Sequence, residues 1–231
     1  MTPSSIHPND ALNYLPRRPL TEYVKGEVIY SGNCEALYLV AAGRVKVANV
    51  APDGCEAIVR IVPPEGLFGE CSLVGRAVGE RAVALDRVQL MAWKRAEIEQ
   101  QIEKEPRLGL ALMEELVLAT LEMEDRMQAM AICKTPQRVM LSLLQLARKL
   151  GEAQPDGALQ MLSLTHHVIA AHVGTSREIV SSQMSRLRRL GLVRYSRKHI
   201  AVYCDGMEDS LRSDGVLLRQ FAGTAAAGTR G

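Results

Sequence analysis

Apolar residues near the C-terminal end of the chain are spaced so that few folds can bury them. In Thr175 to Gly191 (TSREIVSSQMSRLRRLG), Val180, Met184 and Leu187 fall at i, i+4 and i+7 and make one apolar stripe on a helix. The opposite face carries Arg177, Glu178, Ser181, Ser182 and Ser185, clustered toward the N-terminal half. Thr175 with Glu178 three residues on predicts a capping box, and Gly191 is placed to supply a left-handed residue past the end. Just before lies a shorter amphipathic segment, Thr165 to Val173 (THHVIAAHV), with Thr165 as N-cap and Val173-Gly174-Thr175 as a tight turn. Helix, glycine-bearing turn and second helix are the elements of a helix-turn-helix. Leu192 to Tyr195, the polar turn Ser196 to His199, and Ile200 to Tyr203 then read as a hairpin, a wing beside the second helix.

A helix that buries its back and offers hydrogen-bonding groups near its start suits insertion into a DNA major groove. Arg177, Arg186, Arg188, Arg189, Arg194, Arg197 and Lys198 face only Glu178 as an acid in this stretch. A basic run alone is adequately explained as a solvated helix face. Motif, cap and wing in order favour binding to double-stranded DNA.

At 231 residues the chain suits one or two domains with proper cores. A formal net charge of +2 says little about partners, but its distribution does. Glu97 to Asp125 is acid-rich and the stretch after Thr175 is basic, which points to a localised nucleic-acid footprint. No run is apolar and long enough to span a membrane, and MTPSSIHPND lacks the layout of a secretion signal, so a soluble cytoplasmic protein is expected. The five cysteines (Cys34, Cys55, Cys71, Cys133 and Cys204) show no C-x-x-C spacing, so no metal site is expected and reduced thiols acting as small hydrophobes fit each.

From Gly26 to Trp93 the sequence breaks into short β-rich runs: Val28 to Tyr30, Leu37 to Val40, Arg44 to Val50, Ala57 to Val62, Arg81 to Leu85 and Val88 to Trp93. Glycines 26, 32, 43, 54, 66 and 69 punctuate them. Strict alternation in Arg44-Val45-Lys46-Val47 puts charge out and valine in. Such runs predict a small sandwich or barrel-like roll.

GEVIYSGNCEALYLVAAGRVKV (Gly26 to Val47) resembles the β-roll of cyclic-nucleotide-binding domains, and FGECSL (Phe68 to Leu73) with ERAV (Glu80 to Val83) resembles their phosphate-binding cassette. With the winged motif, the chain resembles transcription regulators of the cyclic-AMP receptor protein/FNR family from about Gly26 to Tyr203. The resemblance implies an α+β architecture: N-terminal double-stranded β-roll, long dimerisation helix, C-terminal winged helix-turn-helix. It implies an effector pocket at Gly69, Glu70, Arg81, Ala82, Met123 and Glu124. Backbone N–H groups near Gly69 and the Arg81 fork would take a cyclic phosphate, and Glu70 a ribose hydroxyl. The chain departs from the nucleotide-binding pattern in three ways. Ala82 follows the cassette arginine where Ser or Thr is usual, the Glu70–Arg81 loop is a residue longer, and Met123-Glu124 replaces a Thr-Ser pair. A cyclic nucleotide such as cyclic AMP, another small molecule, and no ligand all stay open. An iron–sulfur cluster is not expected without a cysteine group near the N-terminus, and a haem would have only Cys71 or His7 to propose.

The same resemblance implies that Arg177 and Glu178 read bases, Arg177 on a guanine and Glu178 on a cytosine amino group unless spent on the cap. Ser181 and Ser182 share that face, and Ser182 stands where the family places a further arginine. Thr165, His167, Ser176 and Lys198 match positions that contact phosphates. His166, His167 and His172 are expected to face DNA or solvent.

Pro106 can open a helix free of Gly and Pro from Leu110 to Thr135. Leu116, Met123 and Met130 repeat every seven residues, with Leu112 and Ala119 between and Met127 beside them. A coiled-coil seam for a homodimer is expected there, against an internal core helix as the alternative. Thr135-Pro136 marks a hinge, with Thr135 able to cap, and Val139, Leu143, Leu146 and Leu150 form the next apolar face. The expected divisions are 1–105 for the sensor, 106–134 for the dimer helix, 135–205 for the DNA-binding domain and 206–231 for a helix at Leu211 to Phe221 and a disordered tail. RNA polymerase is the further partner implied. The competing readings are an effector-independent regulator and a ligand-binding module whose winged helix contacts protein. An enzyme built on Cys71 and a histidine finds no supporting motif.

Overall fold

A computed structural model describes residues 11–74 and 79–216. They divide into two compact units, the first ending at Ala119 and the second starting at Thr120. No helix among the described residues is long and apolar enough to cross a membrane.

The first unit holds eight strands: β1 (Thr21–Tyr23), β2 (Val28–Ser31), β3 (Ala36–Ala42), β4 (Val45–Val50), β5 (Glu56–Val62), β6 (Leu67–Phe68), β7 (Glu80–Ala84) and β8 (Val88–Lys94). A short helix α1 (Cys71–Val74) follows β6, and α2 (Arg95–Lys104) follows β8. The strands form two antiparallel sheets, ordered β1-β8-β3-β6 and β2-β7-β4-β5. Their facing sides share one core in which Tyr30, Val40, Val45, Val47, Phe68, Ala82, Val88 and Leu90 meet. The period of two sends alternate residues to the other side of the β3–β8 pair. There Leu37 and Trp93, opposite one another in register, join Ile98 of α2 and Leu108, Ala111 and Leu112 of the long helix in a second core. The Trp93 indole donates to the Pro16 carbonyl at 2.9 Å. The double-sheet roll expected from the glycine-punctuated runs is therefore present. Helix α2 and the short strands β1 and β6 had no distinct signal in the sequence.

Helix α3 (Arg107–Ile132) crosses from the first unit into the second and stops before Cys133 and Lys134. Helix α4 (Thr135–Leu150) starts one residue earlier than expected, because Lys134 rather than Thr135 takes the cap position and its N–H reaches the Gln137 side chain at 2.8 Å. The second unit continues through β9 (Glu152–Ala153), β10 (Leu159–Leu162), α5 (His166–Val173), α6 (Arg177–Arg189), β11 (Val193–Tyr195), β12 (His199–Val202) and α7 (Cys204–Ser213). Its sheet is ordered β11-β12-β10-β9. Val139, Leu143 and Leu146 are buried as expected, and so are Met140, Leu141, Leu144 and Ala147. Helix α4 is the centre of this unit, packed by α5, α6, α7 and the sheet at once. The last described helix, α7, ends at Ser213, with Met207 and Leu211 buried; of the helix expected over Leu211 to Phe221, residues 217–221 lie outside the described residues, as does the expected tail.

Candidate DNA interface and effector pocket

Helix α6 buries Val180, Met184 and Leu187 and leaves Arg177, Glu178, Ser182 and Ser185 exposed. The turn before it works because Gly174 sits at φ +73°, a left-handed conformation that an L side chain resists, and a Cβ there would also meet Met130 Cε at 2.9 Å. Thr165 caps α5, its hydroxyl accepting from Val168 N at 3.2 Å. The cap of α6 is Ser176, not Thr175: its Oγ accepts from Ile179 N at 3.4 Å. This shift makes Arg177 the first helical residue. Glu178 bends toward its own backbone N–H and the Ser176 hydroxyl, which hold its carboxyl below the usual range. This carboxylate is therefore engaged at the start of the helix.

Thr165, His167, Ser176 and Lys198 are all exposed. Lys198 stands at the wing tip, where Ser196 Oγ accepts from the N–H groups of Lys198 and His199 at 3.2 and 3.1 Å. Ser181 is less available than its face suggested. Its hydroxyl donates to Arg177 O at 2.9 Å and meets His166 Nδ1 at 2.8 Å, so it ties α6 to α5. Burial, then the nearby Arg177 charge, keeps the His166 pKa below its ordinary range. Not all the basic residues are free for DNA. Arg188 lies over the Tyr195 ring, and Arg194 pairs with Asp156 at 2.5 Å and lies over Tyr203.

His172 does not face DNA or solvent as expected. It is buried, its Nδ1 is 2.8 Å from Ser142 Oγ, and its backbone carbonyl accepts from Arg126 Nη2 at 2.8 Å. Its position is consistent with helical spacing, since Val168, Ile169, His172 and Val173 lie on one side of α5 and all are buried. Arg126 of α3 thus holds α5.

In the roll, Gly69 sits at φ +86° and a Cβ there would meet Ala36 O at 2.5 Å and Cys34 Sγ at 2.9 Å, so only glycine fits. Glu70 beside it is paired with Arg60 of β5. Burial pulls the Arg60 pKa down, but the Glu70 carboxylate outweighs it and leaves it raised. Tyr30 donates to Glu80 at 3.3 Å, and the Tyr30, Tyr38 and Phe68 rings stack alongside. Arg81, half-buried on β7, has no side-chain partner among the described residues, and Ala82 points into the core. Burial first, and Cys34 next, push the Cys71 thiol up to about 12, so it is no nucleophile at neutral pH. His7 lies outside the described residues. The Arg60–Glu70 pair had no local signal because its partners stand on different elements.

On α3, Leu112 cannot join a seam: it is 7% exposed and packs on the roll's outer core. Ala119 is half-buried, whereas Leu116, Met123, Met127 and Met130 are exposed, with Met130 Cε near Gly174. A different heptad is open along its whole length. Leu110, Val117, Glu124 and Ala131 recur every seven residues with Met113, Thr120 and Met127 three on, and all seven are exposed. Met127 belongs to this set, as does Glu124.

Two family models match the chain: a cyclic nucleotide-binding domain over residues 20–105 and a Crp-like helix-turn-helix domain over residues 137–204. A cyclic AMP receptor protein of Thermus thermophilus is 33% identical over 189 residues, covering 80% of this chain and 82% of that protein. A CRP-like cAMP-activated global transcriptional regulator of Mycobacterium tuberculosis is 30% identical over 178 residues, 73% of this chain and 75% of its own. Among solved structures, a CRP/FNR-family transcriptional regulator from Thermus thermophilus superposes with a TM-score of 0.68 at 26% identity, covering 83% of this chain and 97% of that one.

Proposed function

The chain belongs to the cyclic-AMP receptor protein/FNR family of DNA-binding transcription regulators, and from that premise we propose that it works as a cytoplasmic homodimer coupling a signal in the roll to operator binding and to RNA polymerase. It is a regulator and not an enzyme. The observation that carries the reading is α6: a capped helix with a buried back, whose exposed face starts with an arginine that has no side-chain partner among the described residues. Arg177 forks onto a guanine, Glu178 accepts from a cytosine when it leaves Ser176, and Ser182 lies on the same face. Thr165, His167, Ser176 and Lys198 set register on phosphates.

Replacing Arg177 by alanine is expected to cost roughly 1–3 kcal/mol of specific binding and to relax preference at one base position. Fluorescence anisotropy on a mapped operator measures this, and equal affinity of variant and wild type would remove Arg177 from base reading. Lys198→Ala is expected to weaken every sequence alike and to lower the slope of log K against log salt by about one.

The open heptad of α3 forms the dimer seam. Leu110, Met113 and Val117 make its first half apolar, while Thr120 and Glu124 loosen the second. A seam weak at one end is a two-state element whose equilibrium a ligand can bias. The roll holds an anionic small molecule through the backbone near Gly69 and the Arg81 fork. Cyclic AMP, named for two relatives, is the first candidate. Calorimetric titration with cyclic AMP is expected to give saturable heat that Arg81→Ala removes. The second reading, a regulator that needs no nucleotide, is favoured by one observation: Glu70, the ribose acceptor, is already paired with Arg60.

A further inference from the structure

Within α6 one apolar side chain is left in the open. Ile179 is 41% exposed, although it stands in the first turn of the helix among Arg177, Glu178 and Ser182. It does not belong to the buried stripe, because the step of one residue from Val180 turns it about 100° aside. Its N–H is already met by the cap, with Ser176 Oγ accepting at 3.4 Å, so the part left unmatched is hydrocarbon. Ser182 and Arg186 follow Ile179 on the same flank at i+3 and i+7, while Arg177, two residues earlier, projects from the opposite flank.

A single exposed isoleucine on a protein surface needs no explanation. Ile179 differs in its place, since the helix start that offers polar groups to base edges also presents one branched hydrocarbon there. In a major groove the apolar group on a base edge is the C5-methyl of thymine. A β-branched side chain on a helix is held mostly in one χ1 rotamer, so contact with that methyl fixes little that was free. We propose that Ile179 reads a thymine through its C5-methyl and is a specificity-determining residue of α6. The proposal rests on the reading that α6 enters a major groove, and it adds to the Arg177 and Glu178 contacts a base selected without a hydrogen bond. Because Ile179 and Arg177 lie on opposite flanks, the thymine belongs to a base pair other than the one whose guanine Arg177 takes.

The test titrates the full chain by fluorescence anisotropy with a mapped operator. Each thymine of one half-site is replaced in turn by deoxyuridine, which removes the methyl and keeps every hydrogen-bonding group. One such duplex is expected to bind the wild type about fourfold more weakly, the worth of one methyl-sized group taken out of water. Ile179→Ala is expected to bind that duplex and its thymine parent alike, and Ile179→Val to keep most of the difference. Alanine suits an exposed helix position, so the variant folds. Leu190→Ala removes an exposed apolar side chain at the other end of the helix and is expected to discriminate as the wild type does. No methyl-sensitive thymine in the wild type, or the same sensitivity in Ile179→Ala, overturns the proposal. Equal weakening of Ile179→Ala on the operator and on an unrelated duplex, with methyl sensitivity intact, assigns the side chain to the sugar-phosphate wall and overturns it too. Arg177→Ala separates the two levels of the argument. If it relaxes its guanine while Ile179→Ala leaves the thymine preference in place, only this proposal falls; if neither variant changes any base preference, the placement of α6 falls with it.

Discussion

Val117→Glu is expected to split the homodimer and, with it, to abolish tight operator binding. Val117 lies in the apolar half of the α3 heptad, exposed within one chain between Met113 and Thr120. On the proposed seam Val117 faces its symmetry mate, so the substitution would bury two carboxylates against one another. An uncompensated buried charge costs about 3–5 kcal/mol, which is roughly two to four decades in a dissociation constant. Sedimentation of wild type and variant measures the dimer, and operator titration at the same concentrations measures the consequence. Leu118→Glu is the control: it is exposed too, but on another side of α3, and is expected to leave dimer and DNA affinity in place. A Val117→Glu protein as dimeric as the wild type would move the seam off this heptad.

The DNA-binding unit is expected to lose stability steeply in mild acid, and the residue responsible is His172. Burial first, then the positive charges of Arg126 and Lys149, lowers its pKa from the ordinary 6.5 to about 3. Between those values the unfolded chain binds a proton that the folded chain excludes. Stability therefore rises with pH from about 3 to 6.5 and is level above. Each unit of pH below about 6 removes about 1.4 kcal/mol, or about 3 kcal/mol by pH 4. Urea unfolding of the second unit at pH 7 and pH 4.5 checks the slope. His172→Gln is expected to be less stable at pH 7, because it disturbs the contact with Ser142, but to lack this part of the pH dependence. An unchanged slope in that variant would show that another group titrates.

Where one surface decides the outcome, the sequence was a sufficient guide. The stripe of Val180, Met184 and Leu187 records burial directly; Val45 and Val47 are buried as expected too, but Arg44, expected outside, is buried with them and paired with Asp86 at 2.6 Å. The burial of Leu112 on α3 was not legible in this way. Leu112, Leu116, Met123 and Met130 are the larger apolar groups, but Trp93 and Ile98, distant in sequence, take one side of the helix and draw Leu112 inward. One open line mixes Leu110 and Val117 with Thr120 and Glu124, a pattern that hydrophobicity alone ranks low. The cap of α6 moved by one residue because serine and threonine stand side by side at Thr175 and Ser176, and local chemistry accepts either. The Arg60–Glu70 pair was invisible because it is assembled from elements whose spacing carries no mark of the partner.

The central claim is that paired copies of α6 read two half-sites of one operator. Selection of bound duplexes from a random pool by the purified full-length protein, with and without cyclic AMP, tests it most directly. The expected result is an enriched twofold-symmetric sequence with half-sites about one helical turn apart, roughly 10 base pairs centre to centre, each holding a guanine that Arg177→Ala no longer requires. Recovery of a single unpaired half-site, or of no enriched sequence under either condition, would contradict the account.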